Sequence, residues 1–317
     1  LFKRPLGATT GILPWNFPFF LVARKAAPAL ITGNTIVVKP SQLTPENAYV
    51  FALIVEEAGL PAGVFNLVNG RGSVIGHELA ANPKVGMVSL TGSVRAGQQT
   101  MAAAAPNITK VSLELGGKAP AIVMKYADID LAVKSIIASR VINTGQVCNC
   151  AERVYVDKAI KETFMEKLVA GMKQVKVGNP NEVADLDMGP LIEASALESM
   201  EKKVERAIQQ GARLLCGGHR IGTKGYFFEP TVLDCVTQKM DIIQEETIGP
   251  ILPVVEYSDI NDAIAWANDC EYGLTSSVYT QNLDNAFKVM RSLKFGETYI
   301  NRENFEAMQG FHAGWRK

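Results

Sequence analysis

The sequence is short of the features that would send it to a membrane, to nucleic acid or to a metal. No apolar run approaches the roughly 18 residues a membrane span requires, and no signal-peptide pattern opens the chain. Neither sign of charge dominates. Lys+Arg and Asp+Glu stand equal at 32 each with no basic run, so neither nucleic acid nor a membrane surface is an expected partner. Histidine is scarce, three in 317 residues, and His77 and His219 have no metal-ligand spacing, so no metal is expected. The five cysteines, at 148, 150, 216, 235 and 270, are an odd number without a disulfide framework, which fits a reducing, cytoplasmic setting. Internal repeats and low-complexity linkers are absent. What is present, 47% hydrophobic and 20% charged residues, is a globular profile long enough for about two domains. The chain opens on Leu1 and stops at Trp315-Arg316-Lys317 in what reads as mid-loop, so we expect an internal fragment of a larger protein.

The first half alternates short apolar strands with helices. Residues 7–13 read as a buried strand ending at Pro14, then a turn through Trp15-Asn16-Phe17-Pro18 and a helix over 19–32 closed by Gly33. Strand 35–39 stops at Pro40, Pro45 opens a helix running to Ala58, and Gly59 ends it. Strand 64–68, a helix from Ser73, strand 86–90, a helix from Ser93 and strand 110–113 follow. This is the pattern of βαβ units around a parallel sheet, an α/β fold whose ligands bind at the carboxyl ends of the strands. The residues just past those ends are Asn16, Lys39, Gly70 with Gly72, Thr91-Gly92-Ser93, and Glu114. Together they imply a ligand site for a phosphate-bearing cofactor. Gly70-Arg71-Gly72 through Gly76 is one residue too long for the dinucleotide fingerprint and reads as an ordinary strand-to-helix turn. Thr91-Gly92-Ser93 suits an anion at a helix start, or a plain N-cap.

In the second half, helix 128–141 and the alternating strand 153–157 bracket Asn143-Thr144-Gly145-Gln146-Val147-Cys148-Asn149-Cys150. Loops held by a rigid scaffold are where nucleophiles are often placed. A free cysteine is also commonly a small buried hydrophobe, and the loop alone leaves both readings open for Cys148. Helices over 158–173, 193–210, 259–268 and 283–292, with strands 213–216, 251–257 and 275–279, make a second α/β unit beginning near Gly117.

Five motifs in this order resemble the NAD(P)-dependent aldehyde dehydrogenase superfamily. They are Pro14-Trp15-Asn16-Phe17-Pro18, Lys39-Pro40-Ser41, Leu113-Glu114-Leu115-Gly116-Gly117-Lys118, Gly145-Gln146-Val147-Cys148 and Glu246-Thr247-Ile248-Gly249-Pro250. The separations, 23 residues from Asn16 to Lys39 and 34 from Glu114 to Cys148, agree with that family. Within it, residues 146–153 and 299–312 look like bacterial lactaldehyde/glycolaldehyde dehydrogenases. The resemblance implies a Rossmann-like cofactor domain over 6–116 lacking its N-terminal part, and a catalytic domain over 117–317 lacking its C-terminal end. Residues 1–5 would be the remnant of an oligomerisation hairpin, and the full-length protein a homotetramer or homodimer.

The resemblance also implies roles. Cys148 is the nucleophile, the Asn16 side chain with the Cys148 backbone N–H the oxyanion hole, and Glu114 the base that activates the hydrolytic water. Pro14, Trp15, Lys39, Pro40, Ser41, Gln42, Gly72, Gly92, Ser93, Leu115 and Glu246 fall at cofactor-binding positions. The sequence departs from the family twice. Gln42 stands where Glu is common, so NAD is the expected cofactor with NADP admitted, because a neutral amide does not repel a 2′-phosphate. Ile248 stands where an aromatic is common. Arg24, Asn149, Glu306 and His312 match polar positions around a small-hydroxyaldehyde pocket. Arg24 also reads as an exposed or ion-paired helix residue, and His312, between Phe311 and Trp315, as a packing histidine. Cys150 reads as a redox partner of Cys148 or as a passive neighbour. The implied activity is oxidation of small aldehydes such as lactaldehyde or glycolaldehyde to acids. The alternatives are a semialdehyde dehydrogenase, a thioesterase working without cofactor, and a catalytically silent structural relative.

Overall fold

Short strands buried on both faces need cover on both sides, and the helices between them supply it. The structure, a computed structural model, describes residues 2–305 and 314–316. It divides into two compact units, Leu1–Leu115 and Gly116–Lys317.

The first unit runs β1 (Ala8–Ile12), α1 (Pro18–Ile31), β2 (Thr35–Lys39), α2 (Glu46–Glu57) and β3 (Phe65–Leu67). A wide helical turn over Gly72–Gly76 leads into α3 (His77–Ala81), followed by β4 (Val85–Thr91), α4 (Val94–Ala104) and β5 (Lys110–Glu114). The strand order is β3-β2-β1-β4-β5 and every pair is parallel. The order reverses between β1 and β4, which makes their carboxyl ends the switch point where such sheets take ligands. One face packs Leu13, Val22, Ile36 and Val38 with α1 and α2. The other packs Ile12, Val88, Leu90 and Leu115 with α3 and α4. Helix α1 ends because Gly33 adopts φ +80°, a left-handed conformation that costs glycine little. The helix expected from Ser73 opens instead as the wide turn, and only five residues of it are α-helical.

The second unit runs β6 (Ala119–Val123), α5 (Ile129–Val141), β7 (Ala151–Asp157), α6 (Lys161–Gln174), α7 (Ala194–Gln209) and β8 (Arg213–Cys216). A short ribbon of β9 (Arg220–Ile221) and β10 (Phe227–Phe228) precedes β11 (Thr231–Asp234), α8 (Asp241–Gln244) and β12 (Ile251–Tyr257). Helix α9 (Ile260–Asn268), β13 (Thr275–Tyr279), α10 (Leu283–Ser292) and β14 (Glu297–Ile300) complete it. The sheet order is β14-β13-β6-β7-β12-β11-β8, parallel throughout except that β8 runs against β11. Strands β6, β11 and β14 escape a periodicity reading. Of these, β6 and β11 are buried at every residue and so do not alternate, and β6 carries Pro120 at a register shift. Among the described residues no helix is long and apolar enough to cross a membrane.

Candidate active site

The Cys148 loop begins with an abrupt change of backbone. Helix α5 ends at Val141, and Asn143, Thr144 and Gly145 then take φ of +47°, +60° and +71°. A β-branched residue in that region is strained by about 1–3 kcal/mol, and the surroundings must hold it. They do so through side chains: Thr144 Oγ1 donates to the Gly189 carbonyl at 3.0 Å. Gln146, buried, donates from Nε2 to the Asn143 carbonyl at 3.0 Å, and its Oε1 accepts from the Ile192 N–H at 2.9 Å. Position 145 needs glycine for space as well, because a Cβ there would lie 2.5 Å from the Gly249 carbonyl oxygen.

Two further segments converge on this loop. A Cβ on Gly117 would lie 1.7 Å from the Cys148 carbonyl oxygen, so the two backbones are in direct contact. The Gly117 N–H donates to Glu246 Oε1 at 2.8 Å. Burial pushes the Glu246 carboxyl up to about 7, the charge of Glu152 adds to that, and the Gly117 N–H opposes it. The loop's far end is tied down by Thr275, whose Oγ1 donates to the Asn149 carbonyl at 2.8 Å. Residues 116–118, 145–150 and 246–249 therefore meet at the amino-terminal edge of β6, β7, β12 and β13. Cys148 is half-buried and Asn149 buried. Cys150 is buried and its thiol is pushed up to about 11 by burial, while its Sγ donates to the Val147 carbonyl at 3.0 Å. It is a packed, protonated thiol.

In the first unit the candidate residues gather at the carboxyl-terminal edge. Asn16 and Trp15 lie half-buried in the turn after β1, which Thr44 Oγ1 fastens by donating to the Trp15 carbonyl at 3.2 Å. Lys39 ends β2, is buried, and donates from Nζ to the Pro40 carbonyl at 2.7 Å; burial lowers its pKa. Gln42 is exposed on the following loop. Ser93 caps α4, its Oγ accepting the Ala96 N–H at 3.2 Å, and the Gly92 N–H donates to the carbonyl of Glu114 at 2.9 Å. Leu115 packs its side chain where α4 has Gly97. Arg24 lies half-buried on α1 with its guanidinium 5.9 Å from the centre of the Phe20 ring. Glu306 and His312 lie outside the described residues.

A cavity of about 550 Å³ opens between Gly72–Gly76 and α4, walled by Ile12, Gly76, Leu90, Ala96, Thr100 and Ala103. Ser73, His77 and Gln99 also line it. At Gly72 a Cβ would meet nothing within 4 Å, so there is open space beside that backbone. With the N-terminus of the 11-residue helix α4, capped by Ser93, the first unit has an anion-binding feature of the kind a phosphate-bearing ligand uses. Among the described residues no group of three or more His, Cys, Asp or Glu is arranged to hold a metal.

Sequence reasoning passed over several buried polar residues: Gln146, Lys118, Arg140 and Glu152 in the second unit and Lys25 in the first. Lys25 Nζ donates to Ser89 Oγ at 2.8 Å. Burial lowers its pKa to about 8 against the opposing charge of Glu114. The signal for Glu152 and Arg153 is a charged pair set inside an otherwise apolar strand.

The second unit thus holds a thiol on a strained loop and a carboxylate bonded to the neighbouring glycine backbone, and the first unit holds a cavity beside its parallel sheet. The chain belongs to the aldehyde dehydrogenase family, whose model it matches over residues 1–317. It is 67% identical over 317 residues to lactaldehyde dehydrogenase of Escherichia coli (strain K12), covering 100% of this chain and 66% of that protein. The crystal structure of the E. coli lactaldehyde dehydrogenase superimposes with a TM-score of 0.98 at 66% identity, over 99% of this chain and 66% of that one. D-glyceraldehyde dehydrogenase (NADP(+)) of Picrophilus torridus is 41% identical, over 99% of this chain and 64% of that protein. The chain thus spans just under two thirds of the length of these relatives.

Proposed function

We propose that the full-length protein oxidises small hydroxyaldehydes, such as lactaldehyde or glycolaldehyde, to carboxylic acids with NAD or NADP. The observation that carries this reading is the convergence of the Gly116-Gly117, Cys148 and Glu246 segments on one strained loop, in a chain 67% identical to a lactaldehyde dehydrogenase. An aldehyde does not release hydride readily. Addition of the Cys148 thiolate to the carbonyl carbon gives a tetrahedral alkoxide that does, and so splits one hard step into two. Asn16 and the Cys148 N–H are the oxyanion donors. Loss of hydride leaves a thioester on Cys148, and Glu114 takes the proton of the water that hydrolyses it. The nicotinamide, when bound, supplies the hydride acceptor.

The first unit is the cofactor domain. Lys39 and Glu246 are the ribose-binding residues, Ser93 with Gly92 the phosphate cradle, and Pro14, Trp15, Pro40, Ser41, Gly72 and Leu115 the rest of the cofactor wall. Gln42, neutral and exposed, admits NADP beside NAD. Arg24, Asn149, Glu306 and His312 are the substrate-hydroxyl residues, since a pocket with polar partners selects a hydroxyaldehyde more sharply than an apolar one. The enzyme works in the cytoplasm as a homodimer or homotetramer.

The test is a panel of aldehydes with NAD and NADP on the full-length protein, followed by the absorbance of reduced nicotinamide. Glycolaldehyde and lactaldehyde are expected to give the highest kcat/KM. Succinate semialdehyde in first place would move the reading to a semialdehyde dehydrogenase, with Arg24 as the carboxylate partner.

A further inference from the structure

Three charged side chains behind the Cys148 loop have no part in the chemistry above, yet each is fully buried: Lys118, Arg140 and Glu152. Their contacts run between the loop and the Glu246 segment. Arg140, on the last turn of α5, donates from Nη1 to Cys150 Sγ at 3.1 Å and to the Ala151 carbonyl at 3.0 Å. Its Nη2 donates to the Thr247 carbonyl at 2.5 Å and to the Gly249 carbonyl. One guanidinium thus holds both segments. Glu152 Oε2 accepts from Lys118 Nζ at 2.9 Å and from the Thr247 N–H at 2.7 Å. Lys118 Nζ also donates to Thr247 Oγ1 at 3.2 Å, and the residue before it, Gly117, donates to Glu246. These contacts join residues 117–118 and 150–152, on either side of the Cys148 carbonyl, to Glu246, Thr247 and Gly249.

A buried ion pair is weak evidence for stability, because well-packed apolar residues of similar volume often do as well or better. Its use lies in specifying geometry. We propose that Glu152, Lys118 and Arg140 are positioning residues that clamp residues 246–249 to the Cys148 loop and so fix the Glu246 carboxylate against Gly117. The proposal deepens the functional reading and rests on Glu246 binding the cofactor. The charged groups that act on Glu246 are Glu152, Lys118 and Lys203, with Tyr272 also against it. Replacing Glu152 removes the one negative neighbour among them. That lowers the pKa of Glu246 as well as loosening its segment.

The experiment is Glu152→Gln in the full-length enzyme, with kcat and the cofactor KM measured across pH. The cofactor KM is expected to rise about tenfold while kcat falls less than about threefold. The acid limb of the cofactor KM should move to lower pH. A lowered melting temperature with cofactor KM and limb both at wild-type values would mean a purely structural role and overturn the proposal. If Glu152→Gln does not fold, Thr247→Val removes the hydroxyl that Lys118 reaches and that donates to the Glu245 carbonyl, both ties of that segment. It should raise the cofactor KM about threefold, and no rise overturns the clamp. Failure of the functional reading looks different: the wild-type enzyme then makes no reduced nicotinamide from any aldehyde. The clamp is in that case read from the rate at which iodoacetamide alkylates Cys148, which Glu152→Gln should change at least about threefold and which, if unchanged, refutes it.

Discussion

Both units are parallel sheets flanked by helices, yet they carry their candidate residues at opposite edges. In the first, Asn16 and Ser93 follow the carboxyl ends of β1 and β4, and Lys39 and Glu114 are the last residues of β2 and β5. In the second, Gly117 precedes β6, Cys148 and Asn149 precede β7, and Glu246 precedes β12, with Thr275 at the start of β13 bonded to the Asn149 carbonyl. The carboxyl edge presents helix starts with unfilled N–H groups, which suits a phosphate-bearing ligand that comes and goes. Accordingly Gly72, Ser93 and Gln42 are exposed. The amino edge is a place where chains enter strands, and here it is packed solid: glycine against carbonyl, and three fully buried charges. Such an arrangement suits a nucleophile that must not move. Under the proposed function, one sheet edge serves exchange and the other fixed geometry.

Substitutions at each edge should therefore fail differently. The largest effect is expected at the fixed edge: Cys148→Ala should lower aldehyde-dependent formation of reduced nicotinamide by at least about 10⁴-fold while cofactor binding, measured by calorimetry, persists. At the exchange edge, Asn16→Ala should lower kcat about 10²–10³-fold through loss of an oxyanion donor. Glu114→Gln should leave the first-turnover burst and slow later turnovers about 10²–10⁴-fold, as seen by stopped flow.

The Glu246 carboxyl offers a test of the packed edge by pH. Its folded pKa, pushed up to about 7 from 4.5 by burial, means that the folded state keeps a proton the unfolded state has released between those values. The contribution of Glu246 to stability is thus fully present below about 4.5 and is lost as pH rises through about 7. Glu246→Gln, which keeps an acceptor for the Gly117 N–H, should gain stability over wild type across that window. The gain should reach on the order of 3 kcal/mol above pH 7, with no gain in acid, by denaturant titration. The smallest effect is expected at the open edge: Gln42→Glu should lower kcat/KM for NADP relative to NAD about tenfold, since an added carboxylate repels the 2′-phosphate.

How legible each edge is in the sequence follows from the same contrast. Strands 35–39, 213–216, 251–257 and 275–279 and helix 283–292 are read to the residue, because apolar runs stopped by Pro40, Gly217 or a capped helix leave little choice. The exchange edge is legible because the carboxyl-end rule points to residues that follow a strand. No comparable rule points to residues that precede one. Lys118 and Arg140 sit in sequence like ordinary charges of a loop and a helix, Glu152 stands out only as half of a charged pair in an apolar strand, and only the folded register of β6, β7 and β12 brings the three into one buried set. The left-handed backbone at Asn143 and Thr144 has the same origin: neither residue type demands it, and contacts such as Thr144 with Gly189 impose it. Cys148 is ambiguous on its own loop and reads as a nucleophile only through the resemblance.

Under the proposed function, an acyl group rests on Cys148 between hydride loss and hydrolysis. Glu114→Gln in the full-length enzyme, mixed with glycolaldehyde and NAD, quenched in acid and digested, tests it by mass spectrometry. The account predicts one acyl group on the peptide that contains Cys148, in amount equal to the reduced nicotinamide formed in the burst. Reduced nicotinamide formed with that peptide unmodified would contradict it.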